Sequence, residues 1–413
     1  MTAEPAGADV ADENGRPAGT GSAVGTGSQV GTGSQVGTGS SVGTGSQVWT
    51  GSQVGTRSPI GAGSPAGDRA DTGLASLLRG SAEPLSQRYD VALLDLDGVV
   101  YLGPNAVPGA PEALAKAAGT GMRLAYVTNN ASRTPAAVAA QLAGFGVQAA
   151  AADVVTSAQA AATLLASRLA PGAAVLVIGS TALRIAVRER GLRPVSTALD
   201  QPAAVLQGYA PGIGYPQFLE GGLAVRAGAW FVASNADATL PTPRGIQPGN
   251  GSLLQVITYA TGQQPTVAGK PEPPLHAEAV ARTGARNPLV VGDRLDTDIE
   301  GAVRAGSASL LVLTGISRPA DAVLAPPSQR PSYLAADLAG LLEPQPAVTS
   351  QELAFCCGGW RAYGGHDGTE LSLDGAADPV DGLRALCAAA WSLDQVSLEM
   401  IRPALAALGP LGH

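Results

Sequence analysis

The stretch Val91-Ala92-Leu93-Leu94-Asp95-Leu96-Asp97-Gly98-Val99-Val100 is an apolar run that ends in two aspartates two residues apart, followed by glycine. So short an apolar run, closed by a turn signal, predicts a buried strand. Open α/β sheets bind their ligands beyond the carboxyl ends of the strands, which is where Asp95 and Asp97 would stand. Two carboxylates this near each other resist joint ionisation unless a cation lies between them or their pKa values are driven apart. The stretch therefore points to a metal site, an acid–base pair, or both.

Outward from it, strand and helix patterns alternate, as in a parallel sheet flanked by helices. Leu124–Val127 predicts a strand that ends in Thr128-Asn129-Asn130, and Val154-Val155 a shorter one. Residues 157–245 repeat the style as a unit of their own, with strands at Val175–Ile178, Ala204–Gln207 and Trp230–Ala233. The first pattern then resumes with a helix over Ser252–Tyr259 and a strand at Thr266–Ala268 before Gly269-Lys270-Pro271. Leu289–Val291 runs into Gly292-Asp293-Arg294, Ser309–Leu313 predicts another strand, and Leu334–Leu342 a last helix. The expected architecture is α/β: a Rossmann-like parallel-sheet core from 86–156 and 246–343, with 157–245 inserted as a second α/β unit. A small α+β appendage follows at 345–413, with strands near Leu353–Cys356 and Glu370–Leu373 and helices near Asp381–Trp391 and Leu398–Leu408.

Residues 1–85 do not read as a domain. From Gly19 to Ser64 a glycine- and serine-rich hexad of the type GTGSQV repeats. One valine in each hexad cannot offset the entropy of ordering so much glycine, so the segment is expected to be a disordered tail.

The 413-residue chain carries a net charge of −8, which argues against nucleic acid or an anionic membrane as its main partner. No apolar run approaches the roughly 18 residues that membrane insertion needs, and the N-terminus lacks the basic and apolar regions of a signal peptide. Three cysteines, Cys356, Cys357 and Cys387, form neither a disulfide framework nor a zinc spacing, so the cytoplasm is the expected compartment. Lys116 and Lys270 are the only lysines among 25 basic residues.

Four strand ends thus carry polar groups: Asp95 and Asp97; Thr128 and Asn129; Lys270; and Asp293, with Asp296 and Asp298 just beyond. All four are expected at one sheet edge. Three carboxylates suit Mg2+, while a hydroxyl, backbone amides and a lysine make an anion site. Together they are an inventory for phosphoryl transfer.

Asp95-Leu96-Asp97-Gly98-Val99, Thr128-Asn129-Asn130, Gly269-Lys270-Pro271 and Gly292-Asp293-Arg294-Leu295-Asp296-Thr297-Asp298 resemble the four ordered motifs of the haloacid-dehalogenase-like phosphatases. The insertion resembles the large cap of the subclass of p-nitrophenyl, phosphoglycolate and pyridoxal phosphatases. Ala233-Ser234-Asn235-Ala236-Asp237 and Pro248-Gly249-Asn250-Gly251 are similar to the return from that cap. The resemblance implies a Mg2+-dependent phosphatase of a small phosphorylated metabolite. Asp95 would be the nucleophile that forms an aspartyl-phosphate, and Asp97 the general acid and then base. Mg2+ would sit on the Asp95 carboxylate, the Asp97 carbonyl and Asp293. Thr128 and the amides of Asn129 and Asn130 would hold the phosphoryl oxygens, and Lys270 would neutralise them and the nucleophile. Asp298 would be a second metal-side acid or would orient Lys270.

The appendage resembles an acetyltransferase-like piece found behind some bacterial phosphatases of the family. That combination implies glycerol 3-phosphate as substrate, in glycerophospholipid head-group recycling, with 2-phosphoglycolate, pyridoxal phosphate and p-nitrophenyl phosphate as alternatives. Gly358-Gly359 is not a coenzyme A loop, so the appendage is expected to be non-catalytic, packing on the core or supporting a homodimer. A catalytically silent phosphate-binding protein is the rival from another class, and it would be expected to lack Asp95 or Asp97.

The remaining residues have plainer readings. Asp296 is expected to be solvated or to cap a helix, and His276 to be structural. His366 is expected in a loop, and Cys356-Cys357 in a buried strand. Asn235 and Asp237 could form a turn or touch substrate.

Overall fold

A computed structural model describes residues 78–242, 244–364 and 370–409. The hexad repeat and His366 lie outside the described residues.

The stretch Val91–Leu94 is a strand buried on both faces. It lies in the middle of a six-stranded sheet, in the order Tyr333–Ala335, Ala308–Val312, Pro288–Gly292, Val91–Leu94, Arg123–Thr128, Val154–Thr156. Every pairing is parallel. Near-continuous apolar strands are what a parallel sheet covered on both faces requires. The expected helix over Leu334–Leu342 is instead the edge strand Tyr333–Ala335 followed by a 3-10 turn at Leu338–Leu341. Tyr333 decides this: its ring is buried and its hydroxyl meets that of Tyr89 at 3.0 Å, which anchors the segment to the sheet.

The insertion builds a second parallel sheet, in the order Thr266–Val267, Trp230–Ala233, Ala204–Gln207, Ala174–Ile178, Arg193–Val195. It extends past the expected boundary at 245. Helix Asn250–Thr261 buries Leu254 and Ile257 among Ile178, Val225 and Phe231, and Thr266–Val267 pairs with Trp230–Ala233. The glycine- and proline-rich run at 248–251 reads as a domain border but is only the start of that helix. A hairpin, Thr239–Thr242 with Gly245–Pro248, precedes it.

Residues 78–85, expected in the tail, belong to the fold. Leu78 and Leu85 are buried, and Ser81 and Gln345 exchange backbone hydrogen bonds of 2.7 and 2.8 Å. Glycine-rich composition upstream masks this short apolar anchor in a sequence reading.

The C-terminal unit is a four-stranded antiparallel sheet, Thr349–Gln351, Ala354–Cys357, Trp360–Gly364 and Leu371–Gly375, with helices Pro379–Trp391 and Leu398–Leu408. Two of these strands were not expected. Gly358-Gly359 is the hairpin turn between the second and third; Gly358, at φ +55°, has the left-handed conformation such a turn needs. The unit shares one apolar cluster with the core: Leu311, Leu313, Val323 and Leu334 pack with Trp360, Leu383, Leu386 and Trp391. Among the described residues no helix is long and apolar enough to cross a membrane.

Candidate active site

Asp95, Thr128 and Asp293 end three adjacent strands of the six-stranded sheet, with the Asp95 strand in the middle. Lys270 does not share that edge. It follows Thr266–Val267 of the second sheet and reaches across to Asp95.

Lys270 uses all three of its donors. Its Nζ donates to Asp95 Oδ1 at 2.5 Å, to Asp298 Oδ1 at 2.7 Å and to the Val127 carbonyl at 3.1 Å. Burial disfavours its charge, but Asp298 and Asp95 more than compensate, so its pKa is raised and it remains an ammonium. The second oxygen of Asp298 accepts from the Arg294 amide at 3.2 Å.

Asp293 is fully buried. Its Oδ2 accepts from the Ile316 amide at 2.7 Å, while Oδ1 has no partner. Gly98 makes this packing feasible: its φ is +87°, and a Cβ there would collide with the Asp293 carboxylate. The Thr314 hydroxyl fixes the same turn by donating to the Gly98 carbonyl at 2.6 Å.

Oxygens of Asp95, Asp293 and Asp298 lie within 4.8 Å of one another. Burial, with the charges of Asp95 and Asp298, pushes Asp293 up to about 8. Burial likewise lifts Asp298 to about 6 against the pull of Lys270, and it raises Asp95 despite the same lysine. Three carboxylates against one ammonium leave two negative charges, the complement of one divalent cation. Together with the orphaned Asp293 oxygen, this donor set fits a hard, oxygen-liganded metal.

Asp97 stands apart, open to solvent at the mouth of the site. Protein atoms crowding around it raise its pKa, opposed first by Arg133 and then by Tyr101 and Lys270. The Tyr101 hydroxyl is 3.5 Å from Asp97 Oδ2.

Thr128 is buried and its Oγ1 accepts from the Asn130 amide at 3.1 Å. That amide, expected on a phosphoryl oxygen, is thus spent within the turn, and Asn130 Oδ1 accepts from the Ser132 amide at 2.8 Å. Asn129 turns its side chain away from the cluster, toward Lys270 and Asp237. Asn235 is buried at the return of the insertion and donates to the Asn129 carbonyl at 2.8 Å. Asp296 is solvated, one of its two expected readings, and pairs with Arg294 on the surface. His276 is 2.9 Å from the Ser307 hydroxyl, and it lines one small cavity with Asp95, Lys270 and Asp298.

Sequence reasoning missed Arg133, Tyr101, Ser157 and Ser180. Arg133 could have been found, because it is a cation five residues beyond Thr128 in the same loop. The two serines join the insertion to the Thr128 loop: Ser157 Oγ donates to the Asn129 carbonyl at 2.6 Å and Ser180 Oγ to the Ala131 carbonyl at 2.9 Å.

A parallel sheet edge bearing Asp-x-Asp and a carboxylate cluster, with a buried lysine reaching in from the second sheet of an α/β insertion, defines a haloacid dehalogenase-like hydrolase, and the chain belongs to that family. Family models described as haloacid dehalogenase-like hydrolase and HAD-hydrolase-like match residues 92–193 and 267–341. A model of a GCN5-related N-acetyltransferase like domain matches residues 357–412. The chain is 47% identical over 324 residues to a D-glycerol 3-phosphate phosphatase of Mycobacterium tuberculosis, covering 76% of this chain and 89% of that one. It is 39% identical over 232 residues to a 5'-nucleotidase of Bacillus subtilis, covering 56% and 89%. The crystal structure of a glycerol phosphate phosphatase from M. tuberculosis in complex with magnesium matches with a TM-score of 0.72 at 45% identity, over 79% of this chain and 99% of that one. A thermostable NPPase double mutant from Geobacillus stearothermophilus matches with a TM-score of 0.56 at 32% identity, over 61% and 97%.

Proposed function

We propose that this protein is a Mg2+-dependent phosphatase that hydrolyses glycerol 3-phosphate to glycerol and phosphate. The observation that carries the chemistry is the contact between Lys270 and Asp95 beside the unpartnered buried oxygen of Asp293. Mg2+, held by Asp95, Asp293 and the Asp97 carbonyl, would screen the phosphoryl charge and keep the Asp95 carboxylate ionised.

Asp95 attacks phosphorus through its free carboxylate oxygen, and the bond from phosphorus to the alcohol oxygen breaks. Asp97, whose raised pKa favours the protonated form, gives that oxygen its proton. Asp97 then takes a proton from water, the water oxygen attacks the aspartyl-phosphate, and the Asp95 carboxylate leaves. Lys270 offsets the charge on the nucleophile and the phosphoryl group. The Thr128 hydroxyl and the Asn129 amide hold phosphoryl oxygens. Asp298, whose two oxygens accept from Lys270 and from the Arg294 amide, orients Lys270. Arg133, close enough to lower the Asp97 pKa, adds positive charge where the leaving group enters.

Coverage supports the substrate. The glycerol-phosphate enzyme aligns over 76% of this chain, whereas the nucleotidase and an acid sugar phosphatase of Staphylococcus aureus align over 56%. The C-terminal unit is best read as a non-catalytic appendage, and three unpaired cysteines suit the cytoplasm. The test is phosphate release from a panel of phosphomonoesters with and without Mg2+. Glycerol 3-phosphate should give the highest kcat/KM, and Asp95→Asn should abolish at least about a thousandfold of the rate. Substantial turnover by Asp95→Asn refutes the nucleophile, and a better ester refutes the substrate.

A further inference from the structure

The side chain of Asn129 makes three hydrogen bonds, and all lead away from the carboxylate cluster. Its Oδ1 accepts from the Lys270 amide at 2.8 Å, while its Nδ2 donates to the Lys270 carbonyl at 3.1 Å and to Asp237 Oδ1 at 3.0 Å. Both Nδ2 hydrogens and the amide oxygen are committed, which fixes the orientation of the group. Gly269 shows how close the fit is. A Cβ there would lie 2.6 Å from Asn129 Oδ1 and 2.7 Å from the Ser234 carbonyl, nearer than real side chains come. Lys270 therefore sits on a backbone clamped between the Thr128 loop and the return segment of the insertion.

Asp237 is fixed to the insertion. Its carbonyl accepts from the Gly251 amide at 2.8 Å, and its own amide donates to Asn235 Oδ1 at 3.2 Å. Buried Asn250, at the start of helix Asn250–Thr261, donates to the Asn235 carbonyl at 2.7 Å. The main chain of Asn129 is gripped as well, by Asn235 Nδ2 and by Ser157 Oγ. The outgoing and returning connections of the insertion thus converge on one residue, the neighbour of phosphate-site Thr128.

We propose that Asp237 is a positioning residue, which through Asn129 couples the seating of the insertion to the placement of the Lys270 backbone and so of its ammonium on Asp95. This rests on the phosphatase reading for its catalytic consequence but not for its structural one. With the insertion seated, Asp237 completes the amide of Asn129 and Lys270 is held for phosphoryl transfer. With it displaced, one Nδ2 hydrogen loses its acceptor and the clamp loosens.

The test uses the full chain and four variants: Asp237→Ala, Asp237→Asn, Asn129→Asp, and the exchange Asn129→Asp with Asp237→Asn. Asp237→Ala should lower kcat by about 10- to 100-fold with KM within about 3-fold, the signature of a mispositioned catalytic group. Asp237→Asn still offers an oxygen to Asn129 and should stay within about 3-fold of the parent. Asn129→Asp sets two carboxylates against each other and should cost more than Asp237→Ala. The exchange restores a donor and acceptor across the pair and should recover about 5-fold or more of that loss. Normal kcat in Asp237→Ala, or an exchange no better than Asn129→Asp alone, overturns the proposal.

Amide hydrogen exchange gives a readout independent of activity. The peptide carrying the Lys270 amide should exchange at least about 10-fold faster in Asp237→Ala, with peptides of the six-stranded sheet unchanged. Unchanged protection of that peptide also overturns the proposal. A parent protein that releases no phosphate from any ester sinks the phosphatase reading, and the exchange measurement still decides the coupling.

Discussion

Lys270 Nζ lies between Asp95 Oδ1 at 2.5 Å and Asp298 Oδ1 at 2.7 Å, so a single ammonium serves Asp95, the proposed nucleophile, on one side and a buried acid on the other. Asp298 is in turn tied to the Arg294 amide. Each of its oxygens thus holds a hydrogen bond, one from Lys270 and one from that amide. Asp293 is the reverse, with one oxygen anchored and the other unpaired.

This division separates two substitutions. Asp298→Asn should cut kcat by about 10- to 100-fold through loss of lysine placement, with the Mg2+ concentration for half-activation within about 3-fold of the parent. Asp293→Asn should raise that concentration by about 10-fold or more. Mg2+ titrations of activity check both, and a large Mg2+ shift in Asp298→Asn would return that residue to the metal.

The carboxylate cluster also sets a pH dependence of stability. Burial lifts Asp293 to about 8 and Asp298 to about 6, both above the model-peptide value of 3.8. A carboxyl with a raised folded pKa binds its proton more tightly in the folded state. Its contribution is fully present below the unfolded pKa and is lost as pH rises through the folded value. Metal-free protein should therefore lose thermal stability between about pH 4 and 8, by at most about 1.4 kcal/mol per pH unit per group. Mg2+, which favours the charged carboxylates, should raise Tm more at pH 8 than at pH 5.5. Unfolding scans across pH with and without Mg2+ check this, and Asp293→Asn should flatten the metal-free slope.

The strand Val91–Leu94 was legible because its signal is local: a fully buried apolar run followed by acids. Asp293 was legible on the same grounds. What failed were features set by distant partners. Thr266–Val267 is two residues long, too short for periodicity to say which sheet it joins, so Lys270 was assigned to the wrong edge. The bond from Asn129 to Asp237 spans 108 positions, and asparagine and aspartate near glycine read equally well as turns. Leu78 is anchored in the apolar cluster shared with the C-terminal unit and Leu85 in that of the core, by partners far along the chain.

A small gain in stability is available behind the lysine. A cavity of about 20 Å³ there is lined by Leu93, Val127, Val290, Gly301 and Ala302 among others. Gly301 lies in helix Glu300–Arg304, and a Cβ on it would come no closer than 3.5 Å to Pro271, an ordinary contact. Gly301→Ala should add about 0.5–1 kcal/mol from helix propensity, before any gain from the cavity. Urea denaturation measures it; a destabilised variant would mean that the helix cannot spare that space.

The C-terminal unit should not bind coenzyme A. An acetyltransferase-like fold would offer the pyrophosphate a helix N-terminus, where free amides and the helix dipole attract anions. Here helix Pro379–Trp391 starts with Asp378, whose carboxylate accepts from the Val380 amide at 2.9 Å, and Asp381 follows in the first turn. Two carboxylates already occupy the electrostatic position of the ligand. Calorimetric titration with acetyl-coenzyme A should show no binding tighter than roughly 1 mM, the limit of a weak contact.

That unit should instead behave as part of the phosphatase core. Arg384 is buried and spans the junction: its guanidinium donates to Asp381, to the Leu334 carbonyl of the core's edge strand, and to Gln345 Oε1 at 2.8 Å. Trp391 Nε1 donates to the Ala322 carbonyl at 3.2 Å. Removing the guanidinium leaves a half-buried carboxylate and two buried oxygens short of a donor, so Arg384→Ala should cost about 2–4 kcal/mol. Because Leu311, Leu313 and Leu334 pack in the same cluster as Leu383 and Leu386, the loss should register throughout the molecule. Urea unfolding followed by far-ultraviolet dichroism and by Mg2+-dependent activity should show one coincident transition in the parent, shifted to lower urea in Arg384→Ala. If activity instead persists through a separate early transition of the C-terminal unit, the two parts fold independently and the shared cluster contributes nothing to the core.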